Sequence, residues 1–265
     1  MIKAIRDFTI MDLKEYYPSI WAWSGLLIAT VMSVLVYWYT SLAFAPVISQ
    51  MSGGQTMSYF VFIILGELAL MIPVLLMEAP TQVVKQAVSS GAMTTLLQLP
   101  CPTSTPLITW SLAKVPTELL RIFLNFILIF ALFGAVIKAS AILNIYLLAI
   151  VSAPIFLGLG LIASSFIVAF GRGEKILSFI VTSLSLFSGI YFPVGVLPHN
   201  LQEVVKSSSP LYWILEKARG ETFLSVSEFL AVILLGALLV AIGVFALRLS
   251  FGRHQKTGAT WILRY

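Results

Sequence analysis

Charged residues are scarce in this 265-residue chain, where Asp, Glu, Lys and Arg make up only 10% of the sequence. A typical soluble domain has about 25% charged residues, so the composition excludes an ordinary soluble domain. Hydrophobic residues make up 59% of the chain, and its mean hydropathy is +1.00. We therefore expect a membrane protein whose main solvent is lipid.

Cysteine and histidine are also scarce, with one Cys and two His in the chain. The single cysteine, Cys101, excludes an intramolecular disulfide framework. His199 and His254 have no matching cluster of Cys, Asp or Glu in the sequence, so we expect no metal site. Ser188 has no accompanying His and Asp, so we do not expect it to act as a nucleophile. We expect no catalytic residue, no bound cofactor and no enzyme activity in this chain.

A phosphate-binding loop of the form G-x-x-x-x-G-K-[ST] is absent from the sequence. MSGGQ, residues 51–55, differs by one residue from the signature with which ATP-binding-cassette ATPases clasp nucleotide. It falls in the short turn between the first two apolar runs, which we place on the outer face, away from cytosolic ATP. We interpret it as a loop, and the Gly-rich turn GRGEK at residues 171–175 likewise.

Six apolar runs are long enough to cross about 30 Å of hydrocarbon, which needs about 20 helical residues. They cover residues 20–45, 58–77, 115–137, 143–170, 176–192 and 226–249. The ten-residue alternation of β-barrel strands is absent, so we predict helices. The expected fold is an all-α membrane protein with six transmembrane helices in a single domain, residues 1–265.

The Lys and Arg residues are distributed unequally between the two sides of these runs. Twelve of the 16 lie on the side of the N-terminus, and the other side holds only Lys138, Lys206, Lys217 and Arg219. Since cytoplasmic loops carry the excess of positive charge, we predict that both termini are cytoplasmic. The net charge of +5 then reflects orientation in the membrane, and we expect no nucleic-acid partner.

Two segments on the predicted cytoplasmic side are amphipathic. In residues 1–18, which are too charged to span, the apolar positions favour an interfacial helix over a frayed terminus. One stripe of that helix would hold Ile2, Ile5, Thr9, Leu13 and Tyr16. Residues 79–114 contain a second apolar face, at Val83, Val84, Ala87 and Val88. Periodicity alone allows this face either to lie on the membrane or to bind a cytosolic partner.

The outer segment 193–222 predicts two short amphipathic helices between the last two runs. Asn200 with Glu203 three residues later is a good N-cap, and Leu201, Val204 and Val205 would form its apolar stripe. Ser209 followed by Pro210 predicts a second start, with Leu211, Ile214, Leu215 and Ala218 on its apolar face. Such helices are too polar to cross, so we predict a re-entrant hairpin that dips into the outer leaflet.

Two segments resemble the permease subunits of type-2 ATP-binding-cassette exporters. SSGAMTTLLQLPCPTS, residues 89–104, is similar to the family's Gly-Thr-Leu-Glu-x-Leu-Leu-x-x-Pro-x-Ser segment, with Thr94 in the place of an acid. SGIYFPVGVLPHNLQEVVKSSSPLYWILEKARG, residues 188–220, is similar to its Phe-Pro, Leu-Pro, Pro and Arg signature. The matching positions in the second segment are Pro193, Pro198, Pro210 and Arg219.

The resemblance implies a fold with an N-terminal interfacial helix, a cytoplasmic coupling helix and an outer re-entrant hairpin before the last span. It also implies two copies of a cytosolic ATPase, which would bind the ATP and Mg²⁺, and a second permease subunit, expected as a homodimer in membrane lipid. The ATPase would dock against residues 82–99 and the N-terminal helix. The docking residues would be Val84, Val88, Gly91, Thr94, Leu96 and Leu97.

Glu67 is the one ionisable residue near the middle of an apolar run. A charge there costs about 2.5–3.5 kcal/mol on insertion scales, so it should face protein or water, or be protonated. It either lines a pathway, together with Asn125, Tyr191 and Phe192, or bonds another helix through Asn125 or a hydroxyl. Glu118 and Arg121 are one turn apart and should pair.

The leading hypothesis from the sequence is an export permease for an amphipathic or lipid-linked substrate in the cytoplasmic (inner) membrane of a prokaryote. The alternative is an ATP-independent secondary transporter or channel that uses Glu67. Such proteins commonly place several charged groups or broken helices at mid-membrane, and here only Glu67 qualifies. A non-transporting membrane scaffold is the third reading.

Overall fold

The computed structural model describes residues 5–7, 9–11, 14, 20–51, 59–89, 102, 104–133, 139–170, 173–219 and 225–257, and within these ranges all regular structure is helical. The longer helices are α1 (Ile20–Met51), α2 (Tyr59–Ser89), α3 (Ser104–Ala113), α4 (Val115–Phe133), α5 (Ala139–Phe170), α6 (Gly173–Phe187), α7 (His199–Ser208), α8 (Pro210–Arg219) and α9 (Val226–Thr257). A 3₁₀ turn, Val194–Val196, precedes α7.

Among the described residues, four helical segments are long and apolar enough to cross a membrane: Tyr59–Ala87, Ser104–Leu132, Ser140–Phe170 and Val226–Gly252. Two shorter apolar stretches, Leu27–Ala43 and Leu177–Phe187, lie in α1 and α6. The prediction of an all-α membrane protein is therefore confirmed. The number of six spans stays a prediction.

Helix α5 is the centre of the bundle and packs along both α2 and α9. Glycines make this possible, because a Cβ at Gly158 would lie 2.7 Å from the backbone of Leu239, and one at Gly160 would lie 2.6 Å from the carbonyl oxygen of Met77. Inside a membrane, helices associate mainly through such close van der Waals packing of small residues. The two glycines thus let α5 approach two neighbours at backbone contact.

The segment predicted to be a cytoplasmic stretch, residues 79–114, is largely helical and continuous with the neighbouring spans. Helix α2 runs on to Ser89 through Pro73 and Pro80, and α3 leads into α4 with only a turn at Lys114 between them. Proline is tolerated in membrane helices because neighbouring groups satisfy the freed carbonyl. The helices therefore extend past the predicted span boundaries at residues 77 and 115, whose position relative to the membrane stays a prediction, and residues 90–101 and 103 lie outside the described residues.

The fifth apolar run was predicted to extend to residue 192, but α6 ends at Phe187. Gly189, with φ of +83°, turns the chain in a conformation that glycine adopts readily. The 15 residues of α6 are about 22 Å long, shorter than the hydrocarbon core. Residues 188–193 therefore form a turn that belongs to the outer segment.

The N-terminal segment contacts the junction of α3 and α4. The hydroxyl of Thr9 lies 2.8 Å from the carbonyl oxygen of Ala113, to which it donates. Ile5 and Thr9 are half-buried, while Arg6, Asp7 and Lys14 are exposed, as the predicted stripe requires. The other stripe positions, Ile2, Leu13 and Tyr16, lie outside the described residues.

Candidate functional site

Arg219, the last residue of α8, joins three parts of the chain. Its Nη1 atom donates to the carbonyl oxygen of Gly189 at 2.6 Å, and Nη2 donates to Phe62 O at 2.8 Å and Ile190 O at 3.2 Å. The guanidinium carbon lies 3.4 Å from the centre of the Phe62 ring, a cation–π contact. We call this arrangement the Arg219 clamp, since it fixes α8 and the turn after α6 to α2.

Two glycines give the clamp its space. A Cβ at Gly66 would lie 3.0 Å from the Arg219 Nη2 atom and 2.9 Å from Cγ2 of Ile190. Gly189 turns the backbone so that its own carbonyl meets the guanidinium. Burial lowers the pKa of Arg219 to about 9, so the group stays charged at neutral pH. A charged donor bonded to carbonyls forms stronger hydrogen bonds than a neutral one.

The prolines of the outer segment begin its helical elements. Pro193 precedes the 3₁₀ turn, Pro198 is the N-cap of α7, and Pro210 is the first residue of α8. The start predicted at Asn200 was wrong: α7 begins at His199, because proline ahead of it already provides a suitable extended backbone. The predicted cap at Ser209 is confirmed, since its Oγ accepts from Tyr212 N at 3.3 Å.

The apolar faces of the two outer helices differ from each other. On α8, Leu211, Ile214 and Leu215 are buried as predicted, and the helix packs on α5 and α2. On α7, only Val205 of the predicted stripe is buried, whereas Leu201 and Val204 are exposed. Helix α8 is therefore anchored in the bundle, and α7 presents apolar side chains outward.

Glu67 lies beside two tyrosines from other elements. The side chains of Tyr37 on α1 and of Tyr191 in the turn after α6 lie close enough to Glu67 to interact with its carboxylate, and Ile190 of the same turn lies against Gly66. Burial, the hydrogen bond to Glu67 and its negative charge together raise the pKa of Tyr191 to about 12. The Tyr59 hydroxyl donates to the carbonyl oxygen of Tyr191 at 2.8 Å, which holds the same turn against α2.

Asn125 bonds other partners. Its Oδ1 accepts from the Thr30 hydroxyl at 3.0 Å, and its Nδ2 lies 3.6 Å from the sulfur of Met71. Among the residues that the structure describes, Asn125 therefore bonds Thr30 and Met71 and forms no hydrogen bond with Glu67, whose neighbours with hydroxyls are Tyr37 and Tyr191. Phe192 is half-buried in the same turn as Tyr191.

Helix α2 is covered on all sides but one. Between Phe62 and Thr81 the half-buried residues fall at spacings of three and four, which place them on one face of the helix, and every other residue of that stretch is buried. The half-buried positions are Glu67, Met71, Val74, Leu75 and Glu78. We call this face the acidic stripe, because it carries both carboxylates of α2. Sequence analysis missed Glu78, since it placed the end of the span at residue 77.

The residues predicted to dock an ATPase are only partly described. Val84 is 1% exposed and lies in a cluster with Leu107 of α3 and with residues of α5 and α9. Its side chain is therefore covered by the chain itself, and its predicted role in docking an ATPase stays a prediction. The side chain of Val88, and Gly91, Thr94, Leu96 and Leu97, lie outside the described residues.

Two ion pairs stabilise helix ends. Glu118 and Arg121 approach to 3.6 Å, as predicted. Lys217 and Glu228 approach to 3.0 Å and connect α8 to the start of α9. The latter was missed, although Ser225 and Glu228 form a capping box whose S-x-x-E pattern precedes an apolar run.

Comparison with known proteins finds no matching family model and no matching curated protein. The resemblance of residues 89–104 and 188–220 to exporter permeases therefore stays a prediction. The structural features that bear on function are the Arg219 clamp, the acidic stripe, and Glu67 with its neighbours Tyr37 and Tyr191.

Proposed function

We propose that this chain is the transmembrane permease subunit of an ATP-driven exporter of the type-2 ATP-binding-cassette class. It moves an amphipathic or lipid-linked substrate across the cytoplasmic membrane of a prokaryote, with both termini in the cytoplasm. Separate ATPase subunits, two copies per complex, bind the ATP and Mg²⁺. A second copy of the permease completes the pathway.

The acidic stripe is the observation that carries this proposal. A carboxylate facing hydrocarbon at the bilayer centre costs about 2.5–3.5 kcal/mol on insertion scales, so residues such as Glu67 face a water-filled cavity or another protein. Glu67 and Glu78 share the single face of α2 that the chain leaves partly open. A polar face on an otherwise buried central helix suits the lining of a pathway.

The outer segment supports the same proposal. Helices α7 and α8 have 10 residues each, too few to cross a bilayer, and α8 nevertheless packs into the bundle. The Arg219 clamp satisfies backbone carbonyls of the turn that precedes them. Backbone that dips into a membrane needs partners of this kind, which suits the re-entrant hairpin expected at residues 193–222.

The opposite end of α2 supports a coupling role for the connection between α2 and α3. Val84 of α2 and Leu107 of α3 lie in one buried cluster, so the described helix ends on either side of residues 90–103 pack together. A segment that connects directly to two spans can transmit a conformational change from a cytosolic partner to both of them. The N-terminal segment, bonded through Thr9 to Ala113, lies at the α3–α4 junction of the same region.

The decisive experiment is purification of the chain together with an ATPase encoded beside it. We expect a complex whose ATPase activity falls to the level of the isolated ATPase when Leu96→Asp and Leu97→Asp are combined. Leu201→Asp is the matched control, because it places the same charge on an exposed leucine of α7, at the other end of α2. Flux through the chain alone, driven by an ion gradient, would instead establish the secondary transporter.

A further inference from the structure

The Glu67 carboxylate is accessible and incompletely paired. Glu67, Tyr37 and Tyr191 are each half-buried, so the site opens to the surface of the chain. A carboxylate accepts about four hydrogen bonds, and Tyr37 and Tyr191 are the two side chains with hydroxyls that interact with it among the described residues. Within the described ranges, no Lys, Arg or His forms an ion pair with Glu67.

Both Nη atoms of the nearby guanidinium are already occupied. Arg219 lies against Gly66, the neighbour of Glu67 in sequence, yet both of its Nη atoms donate to backbone carbonyls of the clamp. It therefore neutralises those carbonyl dipoles and leaves the Glu67 charge without a bonded counter-ion. A buried or half-buried carboxylate in this state is a binding position for a cation from outside the chain.

Two aromatic side chains, Tyr37 and Tyr191, lie close to this carboxylate. Trp38, the neighbour of Tyr37 in sequence, packs edge-on against Phe60 with ring centres 5.0 Å apart, which holds this part of α1 against α2. Aromatic faces attract organic cations and replace the water that such cations lose in an apolar site.

We propose that Glu67, Tyr37 and Tyr191 bind the cationic group of an amphiphile, an organic ammonium or phosphonium ion carried on an apolar body. The carboxylate supplies the charge, the hydroxyls orient it, and the rings solvate the cation. A metal ion suits the site less, because the described residues contain no group of three His, Cys, Asp or Glu side chains. The assignment of this ligand as an exported substrate rests on the proposed function.

The chemistry is tested with two hydrophobic ions of the same shape and opposite charge. Radiolabelled tetraphenylphosphonium and tetraphenylborate are equilibrated by dialysis with the full-length chain in dodecyl maltoside, without any ATPase. We expect saturable binding of the cation only. Glu67→Gln should weaken it by about tenfold or more, which corresponds to about 1.4 kcal/mol.

Matched variants separate charge from folding. Glu78→Gln removes the other carboxylate of the acidic stripe and should leave cation binding unchanged. Glu67→Asp keeps the charge and should retain most of the binding, while Tyr37→Phe and Tyr191→Phe keep the rings and should weaken it only a few-fold. Equal binding by the wild type and Glu67→Gln, or saturable binding of tetraphenylborate at the same site, overturns the proposal.

A further arm distinguishes the source of the cation. Phosphatidylethanolamine is added to one sample of micelles, and the same amount of phosphatidylglycerol, which carries no amine, to another. If only phosphatidylethanolamine competes with tetraphenylphosphonium, a lipid amine is a ligand of the site. If neither lipid competes, the ligand is a free amphiphile, and both outcomes support the cation site. If the chain binds the cation but recruits no ATPase, the cation site is supported and the proposed exporter function is contradicted. If it recruits the ATPase but does not bind the cation, only the cation site is contradicted.

Discussion

The Nη2 atom of Arg219 lies 2.8 Å from the carbonyl oxygen of Phe62, a residue 157 positions earlier in the chain. The same guanidinium lies over the Phe62 ring, at 3.4 Å from its centre. The Arg219 side chain thus donates to a backbone carbonyl of α2 and also packs on the Phe62 ring of the same helix. Because the other Nη atom binds Gly189, movement of α8 relative to α2 has to break several contacts together.

Replacement of Arg219 by lysine should destabilise the protein by about 3 kcal/mol, because one ammonium cannot reproduce the forked contacts and leaves buried carbonyls unpaired. The measurement is thermal unfolding of the purified chain in detergent. Lys217→Ala is the control two residues away, where an ion pair with the exposed Glu228 is lost and little change is expected. A lysine variant as stable as the wild type would contradict the clamp.

Substitution of Gly66 by alanine should also loosen the clamp. The new Cβ would meet the Arg219 Nη2 atom and Ile190 at 2.9–3.0 Å, so these groups have to shift, at about 1–3 kcal/mol. Gly25→Ala offers a matched control, since no atom lies within 4 Å of its Cβ position and alanine favours a helix. If both variants unfold at the wild-type temperature, the close approach at Gly66 is wrong.

Alanine at Gly160 should be more damaging than at Gly66. Its Cβ would lie 2.6 Å from the carbonyl oxygen of Met77, and backbone atoms of a packed helix yield less than the end of a side chain. We expect loss of the folded chain on size-exclusion chromatography, or a destabilisation above about 3 kcal/mol. Gly252→Ala, which meets nothing within 4 Å, should behave as wild type.

The tyrosines of the chain should titrate unequally at high pH. The pKa of Tyr191 is raised to about 12 by burial and by the hydrogen bond and charge of Glu67. A tyrosine in the unfolded chain has a pKa of about 10. Folding therefore favours the protonated phenol: its stabilising contribution is complete below about pH 10 and is lost as the pH rises through about 12.

Absorbance at the tyrosinate band measures this titration directly. The difference between the wild type and Tyr191→Phe should show a single tyrosine that ionises near pH 12. In a Glu67→Gln background that tyrosine should ionise at lower pH, because the charge of Glu67 is gone while burial persists. A Tyr191 that titrates at its ordinary value in the wild type would contradict the bond to Glu67.

The predicted topology can be tested by cysteine labelling in intact cells. With Cys101 replaced by serine, Ser52→Cys should react with a membrane-impermeant maleimide from the outside, because the turn after the first apolar run is predicted to lie there. The native Cys101 should react only after the membrane is opened. Labelling of residue 52 exclusively from the inside would invert the orientation and remove ATPase docking from residues 90–103.

Several local features followed from the sequence because they depend on neighbouring residues. Hydropathy predicted a helical membrane protein, the Ser209–Pro210 pair predicted the start of α8, and the spacing of Glu118 and Arg121 predicted their ion pair. Helix boundaries were less predictable. Pro80 did not end α2, and α6 ended before Pro193, since packing and a glycine turn decided these positions.

Composition and periodicity by themselves determined that lipid is the solvent of this chain, that its segments are helices and that Glu67 needs a polar environment. Only the tertiary structure decided that the environment consists of Tyr37 and Tyr191, that Asn125 has other partners, and that Arg219 reaches Phe62. The physical reason is the range of the interactions. Solvation and helical spacing act within a few residues, whereas these contacts join segments whose approach depends on how the whole bundle packs.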